Sequence, residues 1–370
     1  MKTKVAAVLS MLSLVSGCMN SPSEESTVVS HIDRIAFGSC AVQVVPQTFW
    51  SQIANHEPDL FIFGGDNVYG DLKMVDGQPR IGAGSPELLA SNYEMLARDS
   101  HFSSFRDRIP ILPVWDDHDY GENDAGGSYE YKLDSERQFL DFWQIPESDL
   151  RRSYPGTYHV EMYGAAGEPV QIILLATRFF RSELKEFSDQ RRATESGPDA
   201  SGVAGKYMPD TDPKKTLLGS DQWHWLEEQL QQPADIRLIV SSIQVLAEGH
   251  GWERWGNLPQ ERSRLFNLIA QHEVNGVIFL SGDRHRAALY ELKDSDIGYP
   301  LVELTSSSLN YPFPGGDEMG PYQLGEMYEG PNYSTIEIDW QTRRVELNIR
   351  HSSGEPVRSK VVDIDRLKSW

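Results

Sequence analysis

The run Ile109-Pro110-Ile111-Leu112-Pro113-Val114 ends abruptly in Trp115-Asp116-Asp117-His118-Asp119-Tyr120-Gly121-Glu122-Asn123-Asp124, and that junction decides how the rest of the chain is read. An apolar run that stops in acids has the form of a buried strand delivering a loop to its C-terminal edge, where α/β folds bind their ligands. Positions 116–124 hold four aspartates, a glutamate, an asparagine and a histidine. Carboxylates packed so closely repel one another unless a positive charge sits among them, and a divalent or trivalent cation supplies it. A solvated acidic turn would explain this loop alone. It would not explain why the same device recurs elsewhere.

Upstream, Arg34-Ile35-Ala36-Phe37-Gly38-Ser39-Cys40 reads as a first strand ending in a small-residue turn that presents Cys40. Residues 59–63 form a second buried strand that runs into Gly64-Gly65-Asp66-Asn67-Val68-Tyr69-Gly70-Asp71. Its glycines let the backbone turn tightly and throw out Asp66 and Tyr69. Downstream, the strand 170–175 delivers Ala176-Thr177-Arg178, the strand 236–240 ends at Gln244, and 274–280 ends at Ser281-Gly282-Asp283-Arg284-His285. Helical spacing is predicted over 48–56, 86–100, 134–143, 218–230 and 259–272, and 334–350 alternates like an antiparallel hairpin. Residues 72–85 and 182–216 carry no period and read as loops, the second a long insertion. This alternation of strand and helix predicts one large α/β domain, residues 33–370.

With 39% hydrophobic and 10% aromatic residues the chain is globular in composition. A formal net charge of -21 disfavours nucleic acid as a partner, since phosphate backbones demand clustered Lys and Arg. Met1-Lys2-Thr3-Lys4 and the short apolar run after it have the form of an export signal, too short to span a membrane comfortably. Leu14-Val15-Ser16-Gly17-Cys18 resembles the lipobox of bacterial lipoproteins. That resemblance implies a signal peptide over 1–17, acylation of Cys18 and a tether over 18–32. With Met19 after the Cys, it also implies an outer-membrane anchor facing the periplasm or the cell surface. Cys40 is then the one unacylated cysteine, so it forms no internal disulfide.

Five strand ends therefore carry candidate ligands: Cys40, Asp66 with Tyr69, the acidic loop, Gln244, and Asp283 with His285. Asp283 and His285 are two apart, so an extended backbone would send both side chains the same way. One Asp bridging two ions would hold them about 3.5–4 Å apart, where they clamp the attacking and leaving oxygens of a phosphoryl transfer. Each residue also has a plainer reading. Cys40 would be a small buried thiol and Tyr69 the cap of its own turn. His118 would be a structural hydrogen-bonder, Asn123 a turn residue and Arg178 half of an internal ion pair.

Phe37-Gly38-Ser39-Cys40, Gly65-Asp66-Asn67-Val68-Tyr69-Gly70, Trp115-Asp116-Asp117-His118-Asp119 and Ser281-Gly282-Asp283-Arg284-His285 together resemble the alkaline phosphatase D (PhoD-like) family of metallophosphoesterases, in order over about residues 33–350. The resemblance implies a metallophosphoesterase-type sandwich of two mixed β-sheets flanked by helices. It implies a ferric iron, Fe(3+), held by Cys40, Tyr69 and His285, with Asp66 bridging to calcium, Ca(2+). Asp283 would lie on the calcium side, and Asp117 and Asn123 would supply further calcium oxygens. His118 falls where such enzymes place a histidine near the leaving oxygen, and Arg178 where a fork onto phosphate is possible. The implied reaction is in-line attack of an activated hydroxide on a phosphate mono- or diester by a monomeric enzyme, with the loops 72–85 and 182–216 and the region of Trp252 and Trp255 setting specificity. One departure stands out. The family has an Asp before Thr where this chain has Ala176, so either an orienting partner for Arg178 or an outer ligand contact is expected to be lost.

Overall fold

The two-residue period of a strand divides the first sheet between two cores. In β1 (Arg34–Gly38) Ile35 and Phe37 join one apolar cluster and Ala36 another. β2 (Leu60–Gly64) repeats the division, with Leu60 and Ile62 on one side and Phe61 and Phe63 on the other. The computed structural model describes residues 31–164, 167–187, 205–315 and 318–368. The expected signal peptide and nearly all of the tether lie outside the described residues, as do 188–204 of the long insertion.

Next come β3 (Leu72–Val75), β4 (Gln78–Ile81) and β5 (Ile111–Val114). The later strands are β6 (His159–Tyr163), β7 (Val170–Leu174), β8 (Lys185–Glu186), β9 (Tyr207–Met208), β10 (Ile236–Ser241) and β11 (Val277–Ser281). They are followed by β12 (Ala287–Leu292), β13 (Leu301–Ser306), β14 (Asn332–Asp339), β15 (Arg344–His351) and β16 (Pro356–Asp363). One sheet has the order β16-β15-β14-β1-β2-β5, in which β1, β2 and β5 are parallel and the rest antiparallel. The other runs β12-β13-β11-β10-β7-β6, with a parallel centre and antiparallel edges. β7, β10 and β11 are buried throughout and read as apolar runs, as strands covered on both faces must.

The helices α1 (Phe49–Ala54), α2 (Pro86–Arg98), α3 (Ser100–Arg106), α4 (Asp117–Tyr120) and α5 (Lys132–Phe142) occupy the first half of the chain. Trp50, Leu89, Phe102, Phe105 and Phe139 pack with Phe61 and Phe63 on the outer side of the first sheet. α6 (Gly219–Leu230) and α7 (Pro259–Gln271) bury Trp223, Leu226, Leu265 and Ile269 against the second sheet, in the cluster that also holds the inward residues of the first. α2 begins where the sequence predicts: Pro86 needs no donor at the first turn, and the Ser85 hydroxyl accepts from Leu88 N–H at 3.2 Å. The chain thus forms two mixed sheets flanked by helices, as expected.

Three expectations change. The insertion 182–216 is not without structure, since β8 and β9 pair within it. Residues 72–81 are not a loop but the hairpin β3–β4, turned by Asp76 and Gly77 at φ 52° and 75°. The acidic loop is not wholly irregular, because Asp117–Tyr120 close one helical turn, α4. Asp119 makes that turn possible by accepting the Asp116 N–H, which places an acid at the helix start.

Candidate metal centre

The parallel strands β1, β2 and β5 end at one edge of the first sheet, and the ends of β10 and β11 meet them there. Contact is close enough that glycine is required at two positions. A Cβ on Gly65, whose φ is 104°, would stand 2.6 Å from the Asp116 Cβ. One on Gly282 would stand 2.8 Å from the Gly64 carbonyl oxygen and closer still to the Ser39 hydroxyl. Cys40 N–H donates to Gly65 O at 3.2 Å and Gly282 N–H to Ser242 O at 2.8 Å, so the strand-end loops are stitched together by their backbones.

Cys40, Asp66, Asp283 and His285 all sit at positive φ, at 60°, 49°, 65° and 53°. Side-chain-bearing residues rarely adopt this region, and a group of them marks a place where the surroundings impose the backbone. It also corrects the expected geometry of Asp283 and His285. They reach the same cavity through a left-handed turn beyond the end of β11, not along an extended strand.

The side chains converge. One ligand atom each from Cys40, Asp66 and His285 lies within 4.8 Å of the others, and the same holds for Asp66, Asp117 and His118, and for Asp116, Asp117 and Asp283. Asp66 belongs to the first two groups, as a bridging carboxylate would. The Tyr69 hydroxyl stands 2.9 Å from His285 Nε2 and donates to Asp66 Oδ2 at 3.4 Å. The Cys40 thiol donates to the same oxygen at 3.3 Å and accepts from Ser307 at 3.0 Å. His285 has its Nδ1 on the Tyr311 carbonyl, which leaves Nε2 for the centre.

Burial sets the electrostatics. It pushes the Cys40 thiol up to about 12. Burial first, then the neighbouring Cys40, raises Asp66 well above the usual carboxylate range and Tyr69 well above the usual phenol. Burial, then Asp116, raises Asp283 too. His285 is lowered to about 3 by burial, which keeps its imidazole neutral and able to ligate. These donors ligate when deprotonated, and a cation among them reverses the cost that burial imposes. Asp116 Oδ2 is buried and has no hydrogen-bond partner, beside Asp117 and Asp283. An orphaned carboxylate oxygen in such company fits a cation. Thiol, phenol and imidazole around one end, with carboxylates at the other, suit a softer, more highly charged transition-metal cation next to a hard oxygen-seeking one.

His118 lies at the side of this cluster. Its Nδ1 is 2.8 Å from Asp71 Oδ1, both groups are buried, and its ring stacks on Tyr69 at 4.2 Å. Burial lowers it, but Asp117 and Asp66 outweigh burial and raise it well above the ordinary histidine value. Asn123 stands exposed on the cavity wall, its backbone N–H held by Asp71 at 3.0 Å.

Arg178 takes the internal role of its two expected ones. It is fully buried, with Nε 2.6 Å from Asp116 Oδ1 and NH1 2.6 Å from Glu253 Oε2, so its fork is spent inside the protein and does not reach into the cavity. Nor does it lack an orienting partner. At Ala176 the backbone N–H and carbonyl are both held by Gln222 at 2.9 Å. Gln244 does not face the centre, since it bonds Tyr290, Thr305 and His250. Trp255 is core, with its indole N–H on Ser241. Asp71 and Glu253 carry roles that the sequence did not assign; only Asp71, at the end of a motif already singled out, had a local signal.

Asp66, Tyr69, Asp117, His118, Asn123, Asp283 and His285 line one cavity of about 330 Å³, together with residues of the β3–β4 hairpin. Among the described residues no helix is long and apolar enough to cross a membrane.

Comparison with known proteins agrees with this architecture. The model of the PhoD-like phosphatase family matches residues 35–336. Alkaline phosphatase D of Bacillus subtilis (strain 168) is 22% identical over 270 residues, which is 68% of this chain and 45% of that protein. The chain therefore spans less than half of that relative's length. A solved structure of PhoD superposes with a TM-score of 0.67 at 16% identity, covering 91% of this chain and 69% of the other. The purple acid phosphatase PPD1 from yellow lupin (Lupinus luteus) gives 0.58 at 11% identity, covering 90% and 54%. At such identities the structures speak for the fold alone.

Proposed function

Because the chain belongs to the PhoD-like phosphatase family, we propose that it is a metal-dependent phosphoesterase hydrolysing phosphate mono- or diesters outside the cytoplasm, anchored to a membrane through Cys18. The observation that carries the reading is the shared Asp66, whose carboxylate joins the Cys40–His285 group to the Asp117–His118 group. Cys40, Tyr69 and His285 would hold iron, Asp66 would bridge, and Asp117, Asp283 and Asn123 would hold calcium, with Asp116 added by its orphaned oxygen. Cations bound there supply Lewis-acid stabilisation of phosphoryl oxygens and a water acidic enough to attack near neutral pH.

The rest is done by the chain. Asp71 accepts from His118 Nδ1–H and orients the ring, so that its imidazolium form gives the Nε2 proton to the leaving oxygen as the P–O bond breaks. Arg178, clamped by Asp116 and Glu253, holds the acidic turn at the seam between the sheets. Extracytoplasmic placement is supported by the export signal and by Leu14-Val15-Ser16-Gly17-Cys18.

The test is hydrolysis of a chromogenic monoester and diester by the purified protein, before and after chelation, with Asp66→Asn alongside. Chelator-sensitive turnover that disappears in the variant is expected, and the ratio of the two rates gives the ester class. Turnover that survives both chelation and Asp66→Asn would overturn the reading.

A further inference from the structure

Beside Arg80, Arg284 and Arg286, the wall of the cavity carries an apolar stretch that metal binding does not require. In the β3–β4 hairpin, Leu72 pairs with Ile81 and Met74 with Pro79, so these four share one face. Leu72, Pro79 and Ile81 from that face line the cavity. So do Tyr311 and Phe313, whose rings meet edge to face at 5.4 Å. Phe313 lies flat on the His285 imidazole, centroids 4.1 Å apart and 13° from parallel, so this apolar surface begins against a candidate metal ligand. Ile81, Tyr311 and Phe313 are nevertheless 49%, 40% and 50% exposed. Half-exposed aromatic and branched residues gathered round one polar centre mark a binding surface.

We propose that this stretch of the wall is a subsite for a flat apolar leaving group, so that the preferred substrates are aryl-type phosphate esters. The proposal rests on the phosphoesterase reading and names the ester class within it. The phosphoryl group sits at Asp66 and its neighbours, and the ring of the leaving group stacks on the aromatic pair and against Ile81. Water adds to phosphorus, the bond from phosphorus to the aryl oxygen breaks with its electron pair on that oxygen, and the proton that the water gives up ends on the departing oxygen, so the products are the phenol and phosphate. A group that fills an apolar pocket better by a few carbons gains about tenfold or more in kcat/KM.

The decisive comparison is kcat/KM for phenyl and 2-naphthyl phosphate, whose phenols have similar acidity, in the full-length protein and in Ile81→Ser. Ile81 is on an exposed hairpin, so its replacement tests contact and not folding. Phe313→Ser is the second variant, read only as the ratio of the two esters because the ring also touches His285. Binding of phenylphosphonate and 2-naphthylphosphonate, which are not hydrolysed, is measured alongside by calorimetry. The expected result is about a tenfold preference for the naphthyl compound in both assays, falling toward unity in each variant. A ratio near one in the native protein, or one unchanged by Ile81→Ser, overturns the subsite. Absence of turnover on both esters counts against monoester hydrolysis and not against the subsite, which the calorimetric ratio then decides alone.

Discussion

At the scale of single residues, the pair His118–Asp71 separates orientation from binding. Asp71 reaches His118 Nδ1 at 2.8 Å and is not itself a candidate ligand, although it also accepts the Asn123 N–H at 3.0 Å. Asp71→Asn keeps size and one acceptor but loses the charge that fixes the protonated ring. The expected result is a fall in kcat of roughly a hundredfold, a usual share for general acid catalysis, with KM little changed. The loss should be larger for esters whose leaving oxygen is basic and needs the proton. A loss equal for all leaving groups would make Asp71 merely structural. Arg178 belongs to the opposite class. Its guanidinium is wholly inside, between Asp116 and Glu253, so Arg178→Met strands the buried Asp116 and leaves Glu253 with Arg181 alone. About 3–5 kcal/mol of stability should go with it, read as a lower urea midpoint.

The same two residues show why only part of the site was legible. Motifs place Cys40, Asp66, Tyr69, Asp117, Asp283 and His285 at strand ends, and position along a strand is a local property of sequence. Which acid takes Arg178 is not local: Glu253 lies 75 residues away and is brought in by folding. The sequence therefore held the candidate ligands but left open whether Arg178 faced phosphate or protein.

At the scale of elements, period was the readable signal and its failures had physical causes. The buried strands and α2, α6 and α7 lie close to where spacing puts them. The β3–β4 hairpin was missed because its residues are nearly all exposed, so no buried stripe marks the alternation. Helix α5 carries a consequence for pH. Glu136 is raised to about 7, mainly by burial, while the Gly156 N–H it accepts opposes the shift. A folded value above the unfolded one means that the folded state holds the proton more tightly between about 4.5 and 7. Stability from this group is thus present below the unfolded value and declines as pH rises through the folded one. Glu136→Gln keeps an acceptor for Gly156 and removes the charge. Relative to the native protein it should gain stability from pH 5 to about pH 7 in urea titrations and level off above that. A constant difference across that range would mean that Glu136 titrates normally.

At the scale of the whole molecule, the centre occupies the seam where the two sheets meet. Cys40, Asp66 and the acidic turn come from the first sheet, Asp283 and His285 from the end of β11 in the second. Any cation held there ties one sheet to the other and neutralises acids in a chain that is already strongly negative, with a formal charge of -21. Binding to the folded state alone adds about 2.7 kcal/mol when free ligand is a hundred times its dissociation constant. Chelated protein should therefore melt several degrees lower than protein supplied with iron and calcium. Added salt cannot imitate that difference, because the crowded acids are buried beyond easy screening. Asp66→Asn removes the carboxylate shared by two groups and should shrink the metal-dependent shift in melting temperature. A variant at an exposed acid far from the seam, such as Glu94→Gln, should leave the shift intact. If chelation leaves the melting temperature unchanged, the acids at the seam are held by protonation and internal hydrogen bonds, and the cluster is not a cation site.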